Sequence, residues 1–418
     1  MKKFKSLIVF VLFLVFTLPL TVLAAEEVTI EVATWADESL YAVIEAFNEV
    51  YPHIKVKPVV TAIQDHHNAL LTRIAAGSDV PDVAFIEIPY IGQFSEQGGF
   101  EDLLAAPYNA GRYKDQVVSY AWYQATADNG KLVAMPTDIA PATLFVRIDR
   151  LNELGVKLED IKTMEDWIEV GLKFTQDLDG DGKNDRWLVA DAASIYNMIA
   201  QSGPEKFFDK DGNCIVDSPR FVRAFEMAKK IRDLGLDAQI GEWTNEWYAT
   251  FKEGTTLITP SGAWLGGHIK EWIAPDTAGL WRAANLPDNM YASWGGSFAG
   301  IPEAAKHKEE AWKFIEFVAT RPDIQLMSFR IAEMFPSLVS TYDDPMFDEG
   351  VEFYGGQKVR RTWAEAAQNI PDVITNRYDS MASDIVYSAL SKVLEDGEDP
   401  VVALREAKQL IERRMRRR

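Results

Sequence analysis

Polar and aromatic side chains suited to small-molecule recognition follow three predicted strands. Trp35, Asp37 and Glu38 follow the first strand, Gln64, Asp65 and His66 follow the second, and Glu87 follows the third. Each of these strands precedes an amphipathic helix or a turn, and strand–helix alternation indicates a parallel sheet with right-handed crossovers. Ligands bind at the carboxyl ends of such strands. The pattern therefore predicts that these side chains line one site.

A tryptophan-rich stretch adds a second set of candidate ligand-binding residues. The candidates are Trp243, Trp264, Trp294 and Gly295. Gly262, Gly266 and Gly267 surround Trp264, and glycines let a ligand approach the backbone closely. An indole face stacks on the apolar face of a sugar, while carboxylates and amides bind its hydroxyl groups. Core packing is the alternative for any single tryptophan. We expect about half of the set Trp35, Trp243, Trp264 and Trp294 to line a cleft.

The segment 177–185 matches the beginning of an EF-hand calcium loop. Its predicted ligands are Asp177, Asp179, Asp181, Lys183 through its carbonyl, and Asp185. Gly182 permits the sharp turn, but Leu188 stands where an EF-hand carries a bidentate glutamate. A surface Asp/Gly turn is the alternative. Clustered carboxylates repel one another without a cation, so the sequence favours a structural Ca²⁺ site.

Catalytic signatures are scarce in the sequence. It contains no G-x-S-x-G, H-E-x-x-H, Walker A or C-x-x-C motif. His66 and His67 are adjacent, so we expect their side chains to diverge and not to bind a metal together. We therefore do not expect an enzyme. A glycosidase needs only two well-placed carboxylates, and composition does not exclude one.

The N-terminus has the organisation of a cleaved signal peptide. Lys2, Lys3 and Lys5 precede an uncharged apolar run over 7–20, and small residues end at Ala24. The alternative is an uncleaved membrane anchor, for which the run is short. Cleavage after Ala24 removes three lysines and no acidic residue, so the net charge changes from −20 to −23.

The single cysteine and the acidic charge limit the partners. Cys214 is the only cysteine, so no intramolecular disulfide forms and no cysteine follows the apolar run to carry a lipid. The sequence therefore predicts a soluble periplasmic or extracellular protein that is not a lipoprotein. The negative charge argues against nucleic acid as a partner.

Two lobes are expected, because 418 residues exceed the usual size of one hydrophobic core. We predict that the chain crosses between them near Asp138, with short strands at 132–135 and 143–147 separated by Pro136 and Pro141. We place the return crossing at 282–285. The predicted lobes are 25–138 with 283–335, and 139–282 with 336–418.

The sequence resembles the extracellular solute-binding proteins of sugar ABC transporters, the relatives of maltose-binding protein. The similarity covers essentially the whole mature chain, and the order of its short motifs is more specific than any one of them. The motifs are 28–35 with the following helix, 52–56, 75–83, 144–147, 154–156, 251–254 leading to 262–264, and 294–301. Arg147 stands where many members have tyrosine or asparagine.

The resemblance implies an α/β fold of two lobes, each a mainly parallel sheet flanked by helices, with the ligand cleft at the hinge. It implies a monomeric receptor that binds a mono- or oligosaccharide and delivers it to ABC permease subunits. Trp35, Asp37, Asp65, Glu87, Asp138, Trp264 and Trp294 match the ligand-lining loops of the family by position. A secreted glycoside hydrolase, or a carbohydrate-binding surface protein without a transport role, is the alternative.

Overall fold

The computed structural model describes residues 26–36, 38–127, 129–373 and 375–416. The predicted signal peptide and Asp37 therefore lie outside the described residues. The described strands are β1 (Val28–Thr34), β2 (Ile54–Val60), β3 (Val83–Glu87), β4 (Met135–Arg147), β5 (Ile258–Gly262), β6 (Trp281–Ala284), β7 (Ser293–Gly300) and β8 (Phe335–Pro336).

The helices surround these strands and agree well with the sequence pattern. They are α1 (Leu40–Val50), α2 (Ile63–Ala76), α3 (Ile88–Gln97), α4 (Ser119–Gln124), α5 (Ile148–Glu153), α6 (Met164–Phe174), α7 (Ala193–Ala200), α8 (Pro219–Asp233), α9 (Asn245–Glu253), α10 (Trp264–His268), α11 (Lys308–Thr320), α12 (Pro322–Ala332), α13 (Val359–Asn369), α14 (Asp379–Glu395) and α15 (Pro400–Met415). Local signals fix several ends. Thr163 and Asp166 form a capping box at the start of α6, and Pro219 occupies the first turn of α8.

One long strand joins the two halves of the sheet, whose order is β2-β1-β3-β7-β4-β5. β4 is continuous over 13 residues, so the prediction of two short strands separated by a proline-containing break was wrong. The first part of β4 pairs with β7, and the part from Ala142 onward pairs with β5 and β6. Register shifts beside Pro136 and Pro141 accommodate the residues that lack an N–H donor.

The two-lobed α/β architecture is confirmed, but the expected parallel pairing holds only in the first lobe. β1 pairs in parallel with β2 and β3. All described pairings of β4 and β7 are antiparallel, and parallel contact in the second lobe is limited to bridges such as Trp187–Thr256 and Val189–Asp237. Buried strands with continuous apolar sequence do not reveal their direction, so periodicity left this detail open.

Two clusters of buried apolar side chains pack against opposite faces of the second half of β4. Leu144 and Val146 belong to the cluster formed with α6, α7 and α8. Phe145, between them, belongs to the cluster that also contains the first lobe, α9 and α13. Alternating side chains of a strand point to opposite faces, so β4 is covered on both sides and holds a fixed position between the layers.

The chain returns to the first lobe through β7. Residues 282–284, where we placed the return crossing, pair with β4 inside β6, and Leu286, Met290 and Ala292 still pack in the second cluster. β7 then reaches β3. The predicted lobe boundaries stay a prediction. Within the described residues, no helix is both long and apolar enough to cross a bilayer.

Candidate functional site: the cleft between the lobes

A cavity of about 910 Å³ lies where β4 and β7 pass between the lobes. This volume is at the upper end of the range typical of small-molecule sites. The predicted site residues that line it are Trp35, Glu38, Glu87, Asp138, Trp243, Trp264, Trp294 and Gly295. The structure thus brings residues that follow the predicted strands together with residues of the tryptophan-rich stretch.

Three predicted residues of the second strand end do not line this cavity, namely Gln64, Asp65 and His66. Gln64 is exposed and accepts a hydrogen bond from the Tyr90 hydroxyl at 3.0 Å. Asp65 is exposed in the first turn of α2. His66 is buried, because it lies on the face of α2 that packs against the sheet and not on the face toward the cleft.

The histidine pair supports the cleft wall from beneath. His66 Nε2–H donates to the Phe85 carbonyl at 2.8 Å, and the Glu87 N–H donates to His67 Nε2 at 3.0 Å. Both rings contact Trp35, with centroids 5.6 and 5.0 Å away. Burial lowers the pKa of both imidazoles, that of His67 to about 4. The neutral rings tie the end of β3 to α2 and hold Trp35.

One end of the cleft, which we call the aromatic end, consists of Trp243, Trp264, His268 and Trp272. The rings of Trp243 and Trp264 are stacked, with centroids 5.7 Å apart and an interplanar angle of 18°. Trp264 is half-buried, and its indole N–H donates to the Trp294 carbonyl at 2.8 Å. This hydrogen bond connects α10 to β7 and fixes the orientation of the Trp264 ring.

The glycines around Trp264 make room for protein atoms, and our interpretation of them as ligand-exposing was wrong for two of the three. A Cβ at Gly262 would meet Trp264 Nε1 at 2.5 Å and the Trp294 carbonyl at 2.7 Å. A Cβ at Gly266 would meet the Tyr354 hydroxyl at 2.3 Å. Gly267 does line the cavity, although a side chain there would also meet Glu333.

Another part of the cavity lining, which we call the acidic end, contains Glu87, Asp138, Lys206 and Asp379. Burial raises the pKa of Glu87 to about 7. The charge of nearby Lys206 opposes this rise, and the charge of Asp138 adds to it. Burial also raises the pKa of Asp138 to about 6, against hydrogen bonds from Ser297 and Thr137. Glu87 and Asp379 therefore share the field of the Lys206 ammonium group.

Lys206 connects parts of both lobes at this end. Its ammonium donates to the carbonyl of Ile88, the first residue of α3, at 3.5 Å. Burial raises the pKa of Asp379 to about 6, and Lys206 opposes this shift. Asp379 Oδ2 accepts the Asn376 N–H at 2.8 Å, whereas its buried Oδ1 has no hydrogen-bond partner among the described residues. One oxygen of this carboxyl group is thus buried without a hydrogen-bond partner among the described residues.

Several lining residues were missed by the sequence prediction. They are Tyr196, Asn197, Lys206, Glu242, His268, Trp272, Glu333, Asp379 and Tyr387. Tyr387 donates a hydrogen bond to Asn197, which joins α14 to α7 at the rim. Trp272 belongs to the tryptophan-rich stretch but was not among the predicted site residues. The others come from helices and loops whose position in the cleft depends on tertiary packing.

Arg147, the departure from the family pattern, does not enter the cleft. It is buried and bound to Asp149 through Nε and Nη2 at 2.9 and 2.8 Å, while Nη1 donates to the Phe251 carbonyl. Its guanidinium lies over the Trp281 ring at 5.3 Å. Arg147 therefore stabilises the second lobe and leaves ligand choice to other residues.

The Asp/Gly loop at 177–185 does not line the cavity and forms an acidic cluster. Carboxylate oxygens of Asp177, Asp179 and Asp185 lie within 4.8 Å of one another. Asp177 accepts N–H groups from Gly180 and Gly182 at 2.7 and 2.8 Å, and these bonds lower its pKa. Asp181 instead accepts the Lys183 N–H at 2.8 Å. Three of the predicted ligands thus converge on one point, which fits a hard cation.

Sequence comparison identifies the architecture. Residues 33–323 match the sequence profile of the bacterial extracellular solute-binding proteins. The chain belongs to this family. It is 24% identical over 391 residues to the arabinooligosaccharide-binding protein of Halalkalibacterium halodurans, covering 89% of this chain and 85% of the relative.

Solved structures agree with this assignment at the level of the fold. A crystal structure of an extracellular solute-binding protein of family 1 covers 92% of this chain and 99% of its own, with a TM-score of 0.81 and 19% identity. The ABC transporter-associated binding protein of B. animalis subsp. lactis, in complex with β-1,6-galactobiose, covers 92% of this chain and 96% of its own. It has a TM-score of 0.74 and 23% identity.

Proposed function

We propose that this member of the family binds an oligosaccharide in the interlobe cleft and delivers it to the membrane subunits of an ABC transporter. The observation that carries the proposal is the combination of indole faces at one end of the cleft with buried carboxyl groups at the other. A pyranose or furanose ring offers apolar C–H faces to the first and hydroxyl groups to the second. The sugar-binding relatives favour the same ligand class.

Isothermal titration calorimetry tests this proposal. Arabino-oligosaccharides, β-1,6-galactobiose and glucose-based oligosaccharides serve as probes, with free amino acids as the control class. We expect saturable binding of at least one saccharide and none of the amino acids. Binding of amino acids alone would contradict the proposal.

Incubation with the same saccharides separates a receptor from the glycosidase alternative. Glu87 and Asp138 are two cleft carboxyl groups with raised pKa values. A glycosidase would need such a pair as its acid and base, and the test asks whether this pair cleaves a glycosidic bond. A receptor leaves each saccharide intact at stoichiometric protein concentration, and chromatography of the mixture detects any cleavage. A surface protein without a transport role would bind sugar, but the sugar-loaded protein would not stimulate the ATPase activity of an ABC transporter.

Export by the predicted signal peptide completes the proposal. Cleavage after Ala24 would release a monomeric mature protein without a lipid anchor, in agreement with the extracellular location of the family. N-terminal sequencing of the exported protein and light scattering measure these two properties. An intact Met1 on membrane-bound protein would contradict the export model.

Ca²⁺ at the Asp177–Asp185 loop is the structural cofactor that we propose. The convergence of Asp177, Asp179 and Asp185 supplies hard oxygen ligands of the kind that Ca²⁺ prefers. The ion would screen the mutual repulsion of these carboxylates and stabilise the folded state without touching the ligand. Its role is therefore confined to stability.

A further inference from the structure

Trp272 is an exposed tryptophan whose orientation is fixed by its neighbours. Its side chain is 49% exposed, yet its indole N–H donates to His268 Nδ1 at 3.1 Å. Tyr248 packs edge-on against the same ring, with centroids 5.1 Å apart and an interplanar angle of 72°. A free surface tryptophan samples several rotamers, whereas this one is held in place with part of its surface open to solvent.

His268 is the residue that links Trp272 to the less exposed Trp264 and to Trp243. Its ring lies 5.7 Å from Trp264 and 6.0 Å from Trp243, and 5.6 Å from Trp272. Since Nδ1 accepts the indole N–H, the neutral ring carries its proton on Nε2. Burial lowers the pKa of His268, which keeps the acceptor lone pair available. The aromatic end is thus one connected group of rings that extends outward from Trp264 to Trp272.

Polar groups adjoin the exposed ring, as a sugar unit requires. Glu271, next in the chain, lines the cavity with Trp272, and its carboxylate binds Lys270 Nζ at 3.1 Å. Lys270 Nζ also binds Glu333 at 2.6 Å. These ion pairs hold the carboxylates of Glu271 and Glu333, which line the same cavity as Trp272 and can accept hydrogen bonds from ligand hydroxyl groups.

Another exposed apolar side chain besides Trp272 lines the cavity. Ile331, near the end of α12, is 45% exposed and lines the same cavity as Trp272. Trp272 and Ile331 both leave apolar surface of the cavity lining in contact with water, and contiguous exposed apolar surface marks binding sites in soluble proteins. A ligand in this part of the cavity would remove such apolar surface from water.

We propose that Trp272 forms an outer subsite for an additional sugar unit of an oligosaccharide whose preceding units occupy the cleft, and that His268 positions this subsite. The inference rests on the proposed function and specifies the ligand as a chain that extends toward the cleft mouth. A monosaccharide bound between Trp264 and the acidic end would not reach Trp272. The subsite therefore selects for chain length and not for the identity of the innermost sugar.

A chain-length series measured by calorimetry tests the subsite. Wild-type protein, Trp272→Ala and the control Tyr41→Ala are titrated with one saccharide type from mono- to hexasaccharide. Tyr41 is an exposed aromatic residue of α1 that does not line the cavity. We expect Trp272→Ala to lose about fivefold affinity for the longer ligands, to keep its affinity for the shortest one that binds, and Tyr41→Ala to match wild type throughout.

His268 variants test the positioning role. His268→Ala should reduce the gain in affinity with chain length as Trp272→Ala does, whereas His268→Asn, which retains an acceptor group, should restore part of it. An equal loss at all chain lengths in Trp272→Ala, or no loss at any, would overturn the outer subsite. If no saccharide binds wild-type protein, the proposed function fails and the subsite with it. Binding of short ligands without a Trp272 effect refutes the subsite alone.

Discussion

The two ends of the cleft use different chemistry on one ligand. At the aromatic end, Trp243 and Trp264 offer stacked rings whose contact with a sugar depends on dispersion and on the release of water. At the acidic end, burial shifts the pKa of Glu87 and Asp379 upward, while Lys206 opposes the shift. Affinity from the first end should be insensitive to pH, and affinity from the second should depend on it. Variants at the two ends separate these contributions.

Substitution of Trp264 should have the largest effect. We expect Trp264→Ala to weaken oligosaccharide binding more than tenfold at every pH tested, since a desolvated aromatic anchor contributes about 2 kcal/mol or more. Trp264→Phe keeps a stacking ring without the N–H that binds Trp294, and should retain most of the affinity. Calorimetry gives the affinities, and denaturant unfolding of the free variants shows whether the fold survives.

A large loss of stability with unchanged affinity would contradict this assignment. Trp264 would then be a core residue, and its removal would cost about 3–5 kcal/mol of unfolding free energy. Trp35 and Trp294 would in that case be the principal stacking residues.

Removal of the Lys206 ammonium should affect the acidic end in a pH-dependent manner. We expect Lys206→Met to weaken binding about tenfold near pH 8.5, where Glu87 and Asp379 are ionised and repel each other without it. Near pH 5 both carboxyl groups are largely protonated, so the loss should be smaller. Lys206→Arg retains the charge and serves as the control. An equal loss at both pH values would show that Lys206 acts through packing alone.

Neutralisation of Glu87 should alter the stability of the free protein modestly. Its folded-state pKa of about 7 is above the ordinary value of 4.5. A raised acid pKa gives stability that is present below about pH 4.5 and lost as pH rises through about 7. Between about pH 5 and 8.5, the unfolding free energy of wild-type protein should therefore fall by about 1 kcal/mol more than that of Glu87→Gln. The difference is no larger because water in the cleft screens part of the pKa shift.

Thermal unfolding of both forms at the two pH values measures this difference. The exposed Glu159 gives the matched control, and Glu159→Gln should follow the wild-type pH dependence. A Glu87→Gln variant with the same dependence as wild type would show that Glu87 ionises normally.

The Asp177–Asp185 loop should have the smallest effect on the cleft. We expect Asp179→Ala to abolish the stabilisation by added Ca²⁺, about 2.7 kcal/mol at a hundredfold excess over the dissociation constant, and to leave sugar affinity unchanged. Asp211→Ala is the control, as Asp211 is an exposed acid in another Asp/Gly turn, at 209–213. If a chelator does not change the melting temperature of wild-type protein, the calcium proposal is wrong.

The aromatic end was more predictable than the acidic end because its residues are close in the chain. Trp243 and Trp264 stand in one stretch with visible composition. At the acidic end, the strand periodicity revealed Glu87, and the segment between the predicted strands revealed Asp138. Lys206 and Asp379 lie in distant segments that only tertiary packing brings together, so no local pattern indicated them.

The same distinction explains the fold-level results. Amphipathic spacing predicted the helix after the first strand, α1, from residues that repeat locally. The prolines of β4 suggested a break because propensity disfavours them in strands, but pairing with β7 and β8 on one segment and with β5 and β6 on the other outweighed that preference. His66 followed a strand end as expected, yet the helix face it occupies turned it toward the sheet.

The continuity of β4 has a consequence for how the molecule unfolds. Phe145 packs in the cluster shared with the first lobe, while Leu144 and Val146 pack in the other. Melting of either cluster would expose one face of this strand to water. The strand would then lose the packing on that face that holds it against the other cluster. The lobes are therefore coupled in stability, and a single cooperative calorimetric transition is expected in place of one transition for each lobe.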